Sequence, residues 1–125
     1  VKGSIANIYA KHGDESMNEF MVKTLQSASG FGKFGLTGTY ANYLKNQSSS
    51  FIAQNSGELE KIAVTPGTWW VRLAGYNGLK AVQQELDSRG LEDVEAMEVS
   101  SSIKETIKTL LETEENEQIK SIITP

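Results

Sequence analysis

Side chains of the segment DESMNEFMVKTLQSA, residues 14–28, predict a helix. Met17, Phe20, Met21, Thr24 and Leu25 fall at the i, i+3, i+4, i+7, i+8 spacing of one buried face. Ser16 and Glu19 have the spacing of a capping box, and acids crowd the first turn, where the helix dipole favours them. GLKAVQQELDSRG, residues 78–90, turns Leu79, Val82 and Leu86 to one side and ends on Gly90, a residue suited to a left-handed C-terminal cap. SSSIKETIKTLLETEE, residues 100–115, has Ile103, Ile107, Leu110 and Leu111 as its stripe, Ser101 or Ser102 as its cap and glutamates outside. TYANYLKN, residues 39–46, reads as a shorter helix presenting Tyr40, Tyr43 and Leu44. Upstream, SIANIYAKHG fits a helix ending at Gly13 through Ile5, Ile8 and Tyr9, or a strand through Ile5, Asn7 and Tyr9; the helix is preferred.

Other stretches follow the two-residue period. SFIAQ (50–54), LEKIAV (59–64) and TWWVRLA (68–74) read as three strands with a turn at NSGE, and LEDVEAMEV (91–99) as a fourth. The expected fold is therefore α+β: residues 1–125 as one domain, with a small, mostly antiparallel sheet of three to four strands against amphipathic helices. The length suits one domain with a core of its own.

The two-residue period makes a specific statement about the paired tryptophans. In a strand, Trp69, Val71 and Leu73 share the core face, and Trp70, Arg72 and Ala74 share the opposite one. A large ring two residues from a cation on an outer face is the composition of an interface anchor. Trp70, Arg72, Tyr76 and Asn77 are accordingly the expected partner-binding residues. The expected function is a non-enzymatic interaction or assembly module that binds a partner protein or a second copy of itself.

Charge changes the picture only in part. The net charge of −4 is unevenly spread: residues 92–118 hold nine acids against Lys104 and Lys108, while residues 1–91 hold nine bases against seven acids. An acidic last third repels nucleic acid. Between Phe20 and Gly57, however, there are three lysines and no acid, interleaved with rings. Phe31, Lys33, Phe34, Tyr40 and Lys45 thus form a second candidate set, in which rings stack on bases and lysines neutralise phosphate of a single strand. SGFGKF, residues 29–34, is also similar to the Gly-Phe-Gly turn of the histone-like HU proteins. The arms of that family are rich in Arg and Lys, whereas residues 39–57 hold only Lys45, and no strand precedes the turn.

Candidate chemistry is sparse. The absence of cysteine removes disulfides and thiol nucleophiles, and His12 stands alone, without the ligand set of a zinc site. The glutamates near 112–117 lack the spacing of a calcium loop. GFGKFG lacks the Gly-Lys-Ser/Thr ending of a phosphate loop. No cofactor or metal is expected, and a small enzyme with no recognisable site is the third reading. The chain shows no signal-peptide pattern and no run long enough for a membrane span, so a soluble protein is expected, its compartment left open.

Overall fold

The computed structural model describes Ile8 and residues 13–123. Among these residues there is no strand, and the expected α+β fold is corrected to an all-helical one. A 3-10 turn, Glu15–Met17, leads into α1 (Asn18–Ser27) and α2 (Gly30–Lys45); two short helices follow, α3 (Ser49–Asn55) and α4 (Gly57–Ala63). Then come the long helices α5 (Trp69–Ser88) and α6 (Val94–Thr113), and the short α7 (Glu117–Ile123). All four expected strands fall wholly or mostly in helices: SFIAQ in α3, LEKIAV up to Ala63 in α4, TWWVRLA from Trp69 in α5 and LEDVEAMEV from Val94 in α6. The segment at residues 4–13, including His12, lies outside the described residues except for Ile8 and Gly13.

Central to the architecture is α5, against which α2, α4, α6 and α7 all pack. Its inner positions are Val71, Ala74, Gly75, Gly78, Leu79, Val82 and Leu86, a stripe with a helical period. Two of those positions are glycines, and both make room. A Cβ on Gly75 would stand 2.5 Å from the backbone nitrogen of Ala63, and one on Gly78 would stand 3.0 Å from Leu59 Cδ2. The pairing of 63 with 75 and of 59 with 78 means that α4 crosses α5 in the opposite direction. By contrast α2 and α5 run in the same direction: Phe31 and Phe34 meet Trp70 at their heads, and Ala41 lies near Gly78 midway. At their ends, Arg89 donates to the carbonyls of Lys45 and Gln47, at 3.0 and 2.8 Å.

The inner face of α2 is Thr37, Tyr40, Ala41, Tyr43 and Leu44, all buried. Tyr40, Ala41, Tyr43 and Leu44, together with Ile52, Leu59, Leu79, Val82, Leu86 and Ile119, form a single core cluster. Each large aliphatic side chain in it contributes about 1.5–3 kcal/mol by leaving water. Buried tyrosines keep their hydroxyls satisfied: Tyr40 donates to Asn18 Oδ1 at 2.8 Å, and Tyr43 donates to the carbonyl of Asp14 at 2.5 Å.

Helix starts differ from expectation in two places. Asp14, not the Ser16–Glu19 box, caps the first turn by accepting from Ser16 N at 3.0 Å. Asp93, rather than Ser101 or Ser102, caps α6 by accepting from Ala96 N at 2.9 Å, so that helix begins about two turns earlier. Gly90 does have the left-handed backbone expected of it, with φ of 90°.

Candidate interaction site

The head of α2 is an improbable helix on local grounds. Gly30 has φ of 57°, Ser29 contributes no side-chain cap, and Gly32, Gly35 and Gly38 follow. Glycine inside a helix costs about 1 kcal/mol relative to alanine, and at these three positions an added Cβ would meet nothing within 4 Å. Tight internal packing therefore does not explain them. Phe31, Gly35, Gly38 and Asn42 follow one another at helical spacing on the outer face, all exposed. They form a low track with a ring at one end.

Three rings gather at that end. Phe31 is 83% exposed and stacks on Trp70 with centroids 4.7 Å apart and planes 16° from parallel. Phe34, 41% exposed, meets the same indole edge-on at 6.0 Å. Trp70 is half-buried beneath them. Such contacts are worth about 0.5–1.5 kcal/mol each beyond area burial, which helps to hold an uncapped, glycine-rich turn in helical form. Most of the Phe31 ring nevertheless stays in water.

No family model, curated protein or solved structure matches this chain.

The structure thus joins members of the two candidate sets: Trp70 from the interface set with Phe31 and Phe34 from the nucleic-acid set. It separates the rest. In a helix, residues two apart point about 200° away from each other, so Trp70 and Arg72 do not share a face. The strand alternation that paired them is overturned, and Trp69 and Trp70 are both half-buried against the core. Asn77 is exposed farther along α5, and Tyr76 is buried. Tyr40 is 1% exposed, and Lys45 is half-buried at the far end of α2. Lys33, in the first turn of α2, lines a small cleft with Glu58 and Lys61.

Arg72 is turned inward, toward an acid that carried no distinct signal in the sequence. Its Nε and Nη2 each donate to Glu114 at 3.1 Å, and its Nη1 donates to the carbonyls of Thr65 and Gly67 at 3.3 and 3.1 Å. Glu114 also accepts from Tyr76 Oη at 3.3 Å and from Asn116 N at 2.9 Å. The side chains of Arg72 and Glu114 are 16% and 3% exposed. This network ties the 65–67 turn, α5 and the α6–α7 junction together. Nearly all of its donors are used inside the fold. Among the described residues, no group of three or more metal-ligating side chains could hold a metal ion, and no helix is long and apolar enough to cross a membrane.

The network also sets an acid sensitivity. Burial pushes the Glu114 carboxyl up, but the Arg72 hydrogen bonds and charge, the Asn116 amide and the Tyr76 hydroxyl together leave it below the ordinary value of 4.5. A carboxylate with a depressed folded-state pKa stabilises the fold above its unfolded value, and that contribution is lost as pH falls through the folded value. The melting temperature of the protein is therefore expected to drop on acidification below about pH 4.5, with a shallower drop in Glu114→Gln. Parallel acid profiles for the two chains would contradict this. At the alkaline end, burial first and the Glu114 charge second push the Tyr76 hydroxyl up to about 12, so it stays a neutral donor over the ordinary pH range.

Proposed function

We propose that this chain is a non-enzymatic interaction module that holds a partner protein through the Phe31–Phe34–Trp70 cluster. The observation that carries the reading is a phenylalanine 83% exposed yet fixed by stacking on a tryptophan from another helix. Trp is a residue type that dominates interface energies, and a ring already held in place loses little freedom on binding. The open glycines beside it allow a partner's backbone to lie close along α2. None of the three rings carries a group for proton transfer or nucleophilic attack, which favours binding over catalysis at this place.

Phe31→Ala is expected to cost the fold no more than about 1.5 kcal/mol, the upper value of one ring contact, while weakening partner binding by about 2 kcal/mol or more. The partner can be trapped by a benzophenone side chain placed at position 31 and irradiated in the native cell extract. A discrete protein adduct is expected, abolished by Trp70→Ala and absent from the exposed control position 109. Equal labelling at 31 and 109 would overturn the reading. Adducts that are instead digested by nuclease would replace it with single-stranded nucleic acid.

A further inference from the structure

An open trough of about 620 Å³ lies between α5, α6 and α7 and shares no residue with the aromatic cluster. Its lining is apolar: Ile107 and Leu111 of α6, both half-buried, and Ile123 of α7. Ile107 and Leu111 pack against the core cluster and still border the trough. The volume lies within the range of about 300–1,000 Å³ usual for small-molecule sites. It exceeds those of the clefts beside Glu98 and beside Arg72, about 360 and 330 Å³.

Charge is sorted around this trough. Residues 92–118 hold nine acids and two bases. Both bases, Lys104 and Lys108, line the trough, whereas Glu112 is the one acid of the nine that does. Helix α5 adds Lys80. The most acidic part of the chain thus sets its cations at one cavity and turns nearly all its acids elsewhere. Lys104 is shared with Asp87, 3.5 Å away. Lys80 and Lys108, on different helices, form no ion pair among the described residues. Lysine stems extend an apolar lining while their ammonium groups reach for water or an anion.

We propose that the trough binds a single-chain fatty carboxylate, with the head between Lys80 and Lys108 and the chain laid over Ile107, Leu111 and Ile123. Two uncompensated ammonium groups beside an apolar floor complement a molecule with an anionic end and a hydrocarbon end. A neutral hydrocarbon would satisfy only the floor, and a free anion only the rim. The head stays at the mouth, where water still reaches both lysines, so the pairing escapes the desolvation cost of a buried ion pair. The tail supplies most of the affinity, up to about fourfold for each methylene taken fully out of water. A partner's helix fits the volume less well. With side chains a helix is about 10–12 Å across, so the trough would enclose less than about two turns of it.

Titration calorimetry of the intact chain with dodecanoate, kept below its micelle concentration, tests this. A single molecule per chain is expected to bind, with affinity rising at least about tenfold from octanoate to dodecanoate. Dodecyltrimethylammonium has the same tail and the opposite charge, and should bind at least about tenfold more weakly than dodecanoate. Lys80→Glu with Lys108→Glu should weaken dodecanoate at least about tenfold and remove the preference for the anion. If circular dichroism shows that charge reversal disturbs the helices, Lys80→Gln with Lys108→Gln carries the same test. Amide chemical shifts should move at Ile107, Leu111 and Ile123 and hold at Phe31 and Phe34. Phe31→Ala should bind dodecanoate as the parent does, which keeps this site experimentally separate from the aromatic one. Absence of binding overturns the proposal, as does equal binding of the two head groups or a folded lysine variant that binds like the parent. Shifts centred on Phe31 and Trp70 also overturn it, by placing the tail on the aromatic cluster.

Discussion

Glu114→Ala is expected to lower the unfolding free energy by about 3–5 kcal/mol, the cost of leaving one member of a buried ion pair without its partner. The Arg72 side chain is only 16% exposed, and its guanidinium would lose two of its four hydrogen bonds. Tyr76 Oη, buried beneath it, would lose its acceptor. The effect should not be additive with Arg72→Leu. The double variant removes both charges from the interior, and exchanges of that kind cost far less than the single break. Denaturant melts of the two single variants and the double variant measure this directly. A loss below 1 kcal/mol in Glu114→Ala would show that water screens the pair and that the network holds nothing together.

Gly75→Ala is the second large effect, expected at about 1–3 kcal/mol or more. The added Cβ would stand 2.5 Å from the backbone nitrogen of Ala63 and 2.8 Å from its Cα, and backbone atoms cannot swing aside as a side-chain tip can. Either α4 lifts off α5 or α5 bends, and both outcomes loosen Leu59 and Ile62 in the core. Gly38→Ala supplies the contrast. Its Cβ would enter open space, so the helix should gain up to about 1 kcal/mol. Thermal melts of the pair should move in opposite directions. Equal destabilisation by both would mean that the track of glycines on α2 is already covered.

The same two glycines, 75 and 78, explain why the fold was only partly legible. The inner stripe of α5 has a helical period, but glycine scores as a breaker, so the pattern surfaced only from Leu79 onward. Before it, Trp69, Trp70 and Val71 supplied the aromatic and β-branched residues that favour strands. The first two turns of α6 misled differently: acids alternate there with Val94, Ala96 and Met97, yet only Ala96 of these is buried. Where large apolar residues sit at helical spacing, as in Met21 and Leu25 or in Leu79, Val82 and Leu86, the elements were readable. TYANYLKN was readable as helix, but not its extension back to Gly30, because Gly32, Gly35 and Gly38 argue locally against it.

The candidate site shows the same division. Strand alternation beside Arg72 singles out Trp70, and interleaving with lysines singles out Phe31 and Phe34, but their union depends on α2 and α5 running in the same direction, a tertiary fact with no local signature. Arg72 and Glu114 stand 42 residues apart. Glu114 looked like one more solvated glutamate at a helix end. A weak cue was present: it directly follows the last residue of α6, where a change of chain direction can carry a side chain inward.

The position of α5 has a consequence for how the molecule opens. The other long helices and both α4 and α7 rest on it, so no smaller subset of elements retains the core once it is displaced. Fraying of α7, or of the first turn of α2, can occur as sub-global events with the remainder intact. The amide protons in the middle of α5, around Leu79 and Val82, both fully buried, have no such partial route to solvent. They exchange only when the whole chain unfolds, and their exchange rate reports the global stability of the protein.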